Sequence, residues 1–291
     1  MKLLIFGSEG QLGRCLLPRL SGYELVVPSQ QDVDFSRADS IAPTIDASRA
    51  DYVINLAAYT AVDKAESEPE LAEAINHLAV IEIARRCAEL ELPLLHISTD
   101  FVFSGSKSTP YKPVDPCMPL NRYGQSKRGG EQAILQHKPL RSIILRTAWL
   151  YSDCGSNFLL TMLRLMRERT QLKIISDQTG TPTSAYSLAD VIARFLPTSA
   201  EGIYHWTDAG VASWYDFAVA IYEEALVRDL VPPGVEIIPI SSWQYPTPAR
   251  RPDFSVLDKS QTCEALQVQP QHWRQELRLV LDRMLDASPM N

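Results

Sequence analysis

An α/β fold, with a parallel sheet wound on both faces by helices, is the class this sequence predicts. Three observations carry it: short β-branched apolar runs alternate with longer amphipathic stretches, a glycine-rich turn joins the first run to the first helix, and 291 residues at 45% hydrophobic content can bury one large core or two lobes. The runs KLLIFG (2–7), ELVV (24–27), DYVINLA (51–57), PLLHIST (93–99) and RSIILRTAW (141–149) read as strands. Gln11 to Leu20, Glu70 to Glu89 and Gly124 to Gln136 read as helices between them. Further on, LKIIS (172–176), GIYHW (202–206) and EIIPI (236–240) read as strands, with helices over 157–169, 187–196, 213–228 and 272–285. This pattern divides the chain into a dinucleotide-binding domain over 1–150 and, over 151–291, a smaller and mainly substrate-binding lobe whose segments return to the first domain.

The composition narrows the class further. A net charge of −7 argues against a general nucleic-acid surface, which needs clustered Lys and Arg to neutralise phosphates. MKLLIFGSEG has too short an apolar run for a signal peptide and no run elsewhere approaches a membrane span, so a soluble, cytoplasmic protein without a membrane partner is expected. Five scattered cysteines fit a reduced compartment, and neither they nor the histidines and carboxylates form a metal-ligand pattern.

FGSEGQLG places Gly7, Gly10 and Gly13 where the first strand enters the first helix. Glycines there permit a tight turn and let backbone approach a pyrophosphate, which the helix N-terminus attracts; this makes the first domain Rossmann-like. The spacing is GxxGxxG rather than the commoner GxGxxG. QDVDFS then offers Asp32 or Asp34 to hold the adenosine ribose, and no arginine follows the second strand to meet a 2′-phosphate, so NADH and NADPH both stay open. NLAAYTAVDKAE (55–66) and HISTDFVFSG (96–105) end the third and fourth strands at the edge where ligands bind in open α/β sheets.

Tyr123 and Lys127, in NRYGQSK, stand four residues apart and share a helical face. The pair alone decides nothing, but with Ser98 or Thr99 it makes a hydroxyl, phenol and ammonium set beside a nicotinamide. A free tyrosine titrates near ~10; a neighbouring lysine charge is expected to lower that value and make the phenol a general acid for ketone reduction. PARRPDFS (248–255) brings two arginines together, either a solvated basic loop or a patch for a phosphorylated ligand.

In order along nearly the whole chain, GQLG, AAYTAVDKAESEPE, STDFVFSG, YGQSK, NF with TML (157–163), DQTGTPT, SWYDFA and YPTPARRPDFS resemble the extended short-chain dehydrogenases/reductases and, within them, the dTDP-4-dehydrorhamnose reductase group. The resemblance implies reduction of the C4 ketone of dTDP-4-dehydro-L-rhamnose by NAD(P)H. It implies Tyr123 as proton donor, Lys127 binding the nicotinamide ribose and tuning the tyrosine, and Thr99 bonding the reacting oxygen. Gly10, Gln11, Leu12, Asp34, Phe35, Ala58, Tyr59 and Thr60 match cofactor positions; Asp100 and Trp149 match substrate positions. Arg250 or Arg251 is our own candidate for the diphosphate. Members that bridge a dimer with magnesium carry an acid just after the glycine turn, whereas this chain reads Gly13, Arg14, Cys15, which argues against magnesium and leaves a monomer and another homodimer open. Two other readings share the nucleotide fold: an epimerase or dehydratase, disfavoured because Asp100 has no neighbouring Glu, and a noncatalytic partner of methionine adenosyltransferase, which has no chemical need for Thr99, Tyr123 and Lys127.

Overall fold

The computed structural model describes residues 1–286, so positions 287–291 of the lobe expected over 151–291 lie outside the described residues. Its first half runs β1 (Lys2–Phe6), α1 (Gln11–Leu16), β2 (Glu24–Val26), α2 (Ile41–Ser48), β3 (Tyr52–Asn55), α3 (Pro69–Glu73), α4 (Ala79–Glu89), β4 (Leu94–Thr99), α5 (Arg122–His137) and β5 (Ile143–Thr147). The second half runs β6 (Leu150–Tyr151), α6 (Phe158–Glu168), β7 (Gln171–Ile175), β8 (Thr179–Gly180), β9 (Thr183–Ser184), α7 (Ala185–Phe195), β10 (Gly202–His205), β11 (Ala212–Ser213), α8 (Trp214–Leu226), β12 (Glu236–Ile240), α9 (Ser260–Leu266) and α10 (Trp273–Asp286).

Six strands form one parallel sheet in the order β10-β5-β4-β3-β1-β2. Side chains alternate across it with the strand period of two. Leu3, Ile5, Ile54, Leu95 and Leu145 meet α1 and α7 on one face, while Leu4, Phe6, Val53, Leu94 and Ile144 meet α2, α4 and α5 on the other. Both faces are covered, which is why these strands read as unbroken apolar runs. Each such Leu or Ile contributes roughly 1.5–3 kcal/mol through burial. The chain leaves β1 toward β2 on one side and returns to β3 on the other, so a crevice opens between β1 and β3 at their C-terminal ends.

A second core joins α6, β7, α8, β12 and α10 through Leu159, Met162, Phe217, Ile221, Trp273 and Leu277. LKIIS and EIIPI pair there as the parallel strands β7 and β12, whereas GIYHW departs from them and becomes β10 beside β5. Helix α7 also returns to the sheet, seating Leu188, Ile192 and Phe195 in its core.

Two expected helices differ in detail, and two further helices are additional to the expected set. The helix over 11–20 is α-helical only to Leu16 and tightens into a 3-10 turn over Leu17–Leu20, where Pro18 cannot donate the next bond. The helix over 70–89 is interrupted by a π-helical turn at Ala74–Leu78. Helices α2 and α9 were not evident from periodicity because they are short, and α2 carries an internal proline, Pro43.

Candidate active site

The glycine turn lies at the mouth of the crevice. Gly7 has φ +77°, and a Cβ on it would fall 2.5 Å from Ala57 N, so only glycine fits between β1 and the end of β3. Gly10 caps α1 without a side-chain bond, and no acid occupies the first turn, leaving its N–H groups available to an anion. Gly13 and Leu12 are buried in the helix, Leu12 within the sheet core. Gln11 turns toward the start of the second lobe, where its Oε1 accepts from Ser152 Oγ at 3.2 Å and Asn157 Nδ2 at 3.3 Å. Phe35 stacks edge-on against Phe6 with ring centroids 5.2 Å apart. Asp34 is exposed and accepts from Ser36 N and Oγ at 2.9 and 2.6 Å, bonds that hold its carboxyl below the usual range; Asp32 does the same with Ser29. Both acids therefore cap their own turns.

Beyond β3, Ala58, Tyr59 and Thr60 edge the crevice, with Thr60 exposed. Asn76, in the π-helical turn, fixes this stretch: its Oδ1 accepts from Tyr59 N at 2.9 Å and its Nδ2 donates to Tyr59 O at 3.0 Å. The sequence reading missed Asn76, whose signal is a buried-type position in AINHLAV occupied by a polar residue. Irregular helical turns of this kind recur at functional sites.

Thr99, Asp100, Tyr123 and Lys127 come together at the end of β4, all buried. Asn121 starts α5 by accepting from Gly124 N at 2.8 Å. A Cβ on Gly124 would lie 2.3 Å from Phe101 O, so this glycine lets the helix settle against the strand end and brings the Tyr123 ring onto Phe101, Tyr59 and Val62. Burial pushes the Tyr123 phenol up to about 12 against a hydrogen bond with Thr99, and the Asp100 charge adds to the rise. Burial likewise raises Asp100 to about 6 and lowers Lys127 to about 8, the latter opposed by Glu131. The expected lysine-driven lowering of the tyrosine is thus corrected: Lys127 Nζ donates to Ile97 O at 2.7 Å and faces His96 Nε2 at 3.3 Å, and desolvation governs the phenol. Oδ2 of Asp100 and Oγ1 of Thr147, the residue of β5 in register with Thr99, are buried without a hydrogen-bond partner among the described residues.

Trp149 follows β5 with a left-handed φ of 49°, a conformation that costs a non-glycine residue roughly 1–2 kcal/mol. Its ring lies flat on Trp214, with centroids 3.5 Å apart and planes 5° apart. The two arginines of PARRPDFS part company. Arg251 grips Asp63 with two bonds of 3.0 and 2.7 Å, whereas the exposed Arg250 side chain has no ion-pair partner among the described residues. The Arg250 carbonyl accepts from Asn121 Nδ2 at 2.7 Å, placing that loop beside the start of α5. No group of three or more His, Cys, Asp or Glu among the described residues is placed to hold a metal ion, and no described helix is long and apolar enough to cross a membrane.

This arrangement has close counterparts. The family model for the RmlD substrate binding domain matches residues 1–286. The dTDP-4-dehydrorhamnose reductase of Aggregatibacter actinomycetemcomitans is 38% identical, over 95% of this chain and 97% of its own. The crystal structure of a dTDP-4-dehydrorhamnose reductase from Clostridium acetobutylicum superposes with a TM-score of 0.91 at 35% identity, covering 98% of this chain and 100% of that one. The Bacillus anthracis dTDP-4-dehydrorhamnose reductase, solved in complex with NADP, gives the same TM-score of 0.91 at 31% identity, over 97% of this chain and 99% of its own. With a family match over residues 1–286 and a relative more than a third identical, the chain belongs to the dTDP-4-dehydrorhamnose reductase family.

Proposed function

We propose that this chain reduces the C4 ketone of dTDP-4-dehydro-L-rhamnose to dTDP-L-rhamnose, using NADPH or NADH. The observation that carries the reading is Thr99, Asp100 and Tyr123 buried together at the end of β4, with Lys127 one turn along α5. The glycine turn suits a dinucleotide, because Gly7 leaves no room for a Cβ and the N-cap of α1, Gly10, makes no side-chain bond to the helix N–H groups. A reduced nicotinamide held there would supply the hydride for the carbonyl carbon.

As that carbon accepts hydride, its oxygen gains negative charge and needs a proton. Tyr123, raised to about 12, keeps its proton at neutral pH and gives it to that oxygen. Thr99 Oγ1 holds the same oxygen in place, and Lys127 is the group that would hold the nicotinamide ribose. Gly7, Gly10, Gln11, Leu12, Gly13, Asp34, Phe35, Ala58, Tyr59 and Thr60 frame the cofactor, which we assign to residues 1–150. Asp100 and Trp149 contact the sugar, and the lobe from 151 onward encloses the nucleotide. Arg250 meets the diphosphate while Arg251 braces the loop through Asp63. A monomer and a homodimer without bridging magnesium both fit this reading, and a cytoplasmic location suits the reductant.

The test follows reduced-nicotinamide absorbance after adding the keto sugar nucleotide. Wild type consumes cofactor in proportion to product, and Tyr123→Phe slows the reaction by ~10²–10⁴ with an unchanged melting temperature. No consumption with either cofactor, despite tight cofactor binding, would reject the reading. Arg250→Ala raises substrate KM by about tenfold or more, as expected for one lost charge-assisted bond; an unchanged KM removes Arg250 from the site.

A further inference from the structure

Behind Lys127 lies a buried polar chain that the proton transfer described above does not use. His96, on β4, is fully buried; its Nε2 faces Lys127 Nζ at 3.3 Å and its Nδ1 faces Asn55 Nδ2 at 3.0 Å. Asn55 ends β3, and its Oδ1 accepts from Ala57 N at 3.1 Å. That last bond orients the amide, since an N–H can meet only the oxygen end. Asn55 Nδ2 is then a donor toward His96 Nδ1, so Nδ1 must be bare and a neutral ring carries its proton on Nε2. An Nε2–H pointing at Lys127 requires a lone pair there, which only the neutral amine has.

The ammonium form demands the reverse. With Lys127 charged, Nε2 must accept, the ring proton moves to Nδ1, and Asn55 must turn its oxygen to His96, releasing Ala57 N–H. Ala57 N is the group against which Gly7 closes, at the cofactor edge of the sheet. We infer that Asn55 and His96 form a positioning pair that links the proton count of Lys127 to the hydrogen bonding of Ala57 at that edge. The inference rests on the reductase reading for its functional meaning, but its geometry stands apart from turnover. Burial and the Lys127 charge keep His96 well below its ordinary value, so the ring stays neutral while its tautomer changes. Among the described residues, the groups bearing on the pair are Lys127 and Glu131 from α5, Asn55 from β3 and the Ile97 carbonyl from β4.

Nitrogen-15 spectra of ring-labelled full-length chain, without substrate, read the tautomer directly; His96→Gln identifies the signal by its loss. Between about pH 6 and 10, the His96 proton is expected to move from Nδ1 to Nε2 with the ring neutral throughout. Asn55→Asp offers only acceptors, to Ala57 N–H and to the ring, and so locks the Nδ1–H tautomer and shifts the Lys127 limb of the kcat–pH profile up by at least ~1 unit. A single tautomer in wild type across the range overturns the inference, as does an Asn55→Asp profile that coincides with wild type. Absence of turnover in wild type would reject the reductase reading while leaving the tautomer result to decide the pair.

Discussion

Glu131 on the buried face of α5 and Asp208 between the lobes are both carboxylates with no exposed surface, yet one is held charged and the other neutral. Glu131 accepts from Arg146 Nε and Nη2 at 2.7 and 2.8 Å, from Ser98 Oγ at 2.7 Å and from Arg128 Nη1 at 2.9 Å. Burial works to raise it, but Arg146, Ser98 and Arg128 outweigh burial and hold it below the usual range. Asp208 has fewer donors, Ser184 N at 2.8 Å and the Ser187 side chain, and its Oδ1 has no hydrogen-bond partner among the described residues. Burial carries it up to about 8, and the nearby Glu276 charge adds to the rise. Lys259 could have neutralised it, but spends its bond of 2.8 Å on the Asp208 main-chain carbonyl. The difference teaches that donor count, not depth, decides whether a buried acid keeps its charge. Under the reactive helix the fold holds an ion pair; between the lobes it holds a proton.

The sharpest way to break the comparison is Glu131→Ala, which strands the Arg146 guanidinium without its carboxylate. Stability should fall by about 3–5 kcal/mol in chemical denaturation; a loss below ~1 kcal/mol would mean that water replaces the partner. Asp208→Asn acts through pH. Because the folded pKa of Asp208 is raised above the unfolded value, its favourable contribution is full below about 4 and is lost as pH rises through about 8. Replacing it should flatten the decline of melting temperature over that window, removing up to about 1.4 kcal/mol per pH unit, and equal slopes in the two proteins would refute the proton held at Asp208. Ser98→Ala, the mildest change, takes one of the donors from Glu131 and should cost about 1 kcal/mol, read in the same denaturation experiment.

The sheet was legible because its signals are local. KLLIFG, DYVINLA, PLLHIST and RSIILRTAW each carry their burial on both faces as unbroken apolar runs, and FGSEGQLG marks its turn by residue type alone. Tyr123 and Lys127 were legible from spacing, since helix geometry puts positions four apart on one face. What escaped depends on groups distant in sequence. Nothing near Arg251 announces Asp63, 188 residues away, so only the fold shows that this arginine is paired. Asn76 and His96 act through partners on other elements, and only their burial distinguishes them from ordinary polar residues. The tyrosine was misjudged for a related reason: spacing displays the lysine's charge but not the loss of water around the phenol, and the latter prevails.

Trp149 extends from the end of the large sheet, whereas Trp214 opens α8 in the second core, and their indoles overlap at 3.5 Å. Two identical chromophores that close and nearly parallel share their electronic excitation. The molecule therefore carries a built-in optical gauge spanning its two halves: the near-ultraviolet circular dichroism of the pair depends on the angle and separation of the rings, so any rocking of one half against the other as ligands enter is written into its spectrum without an added label.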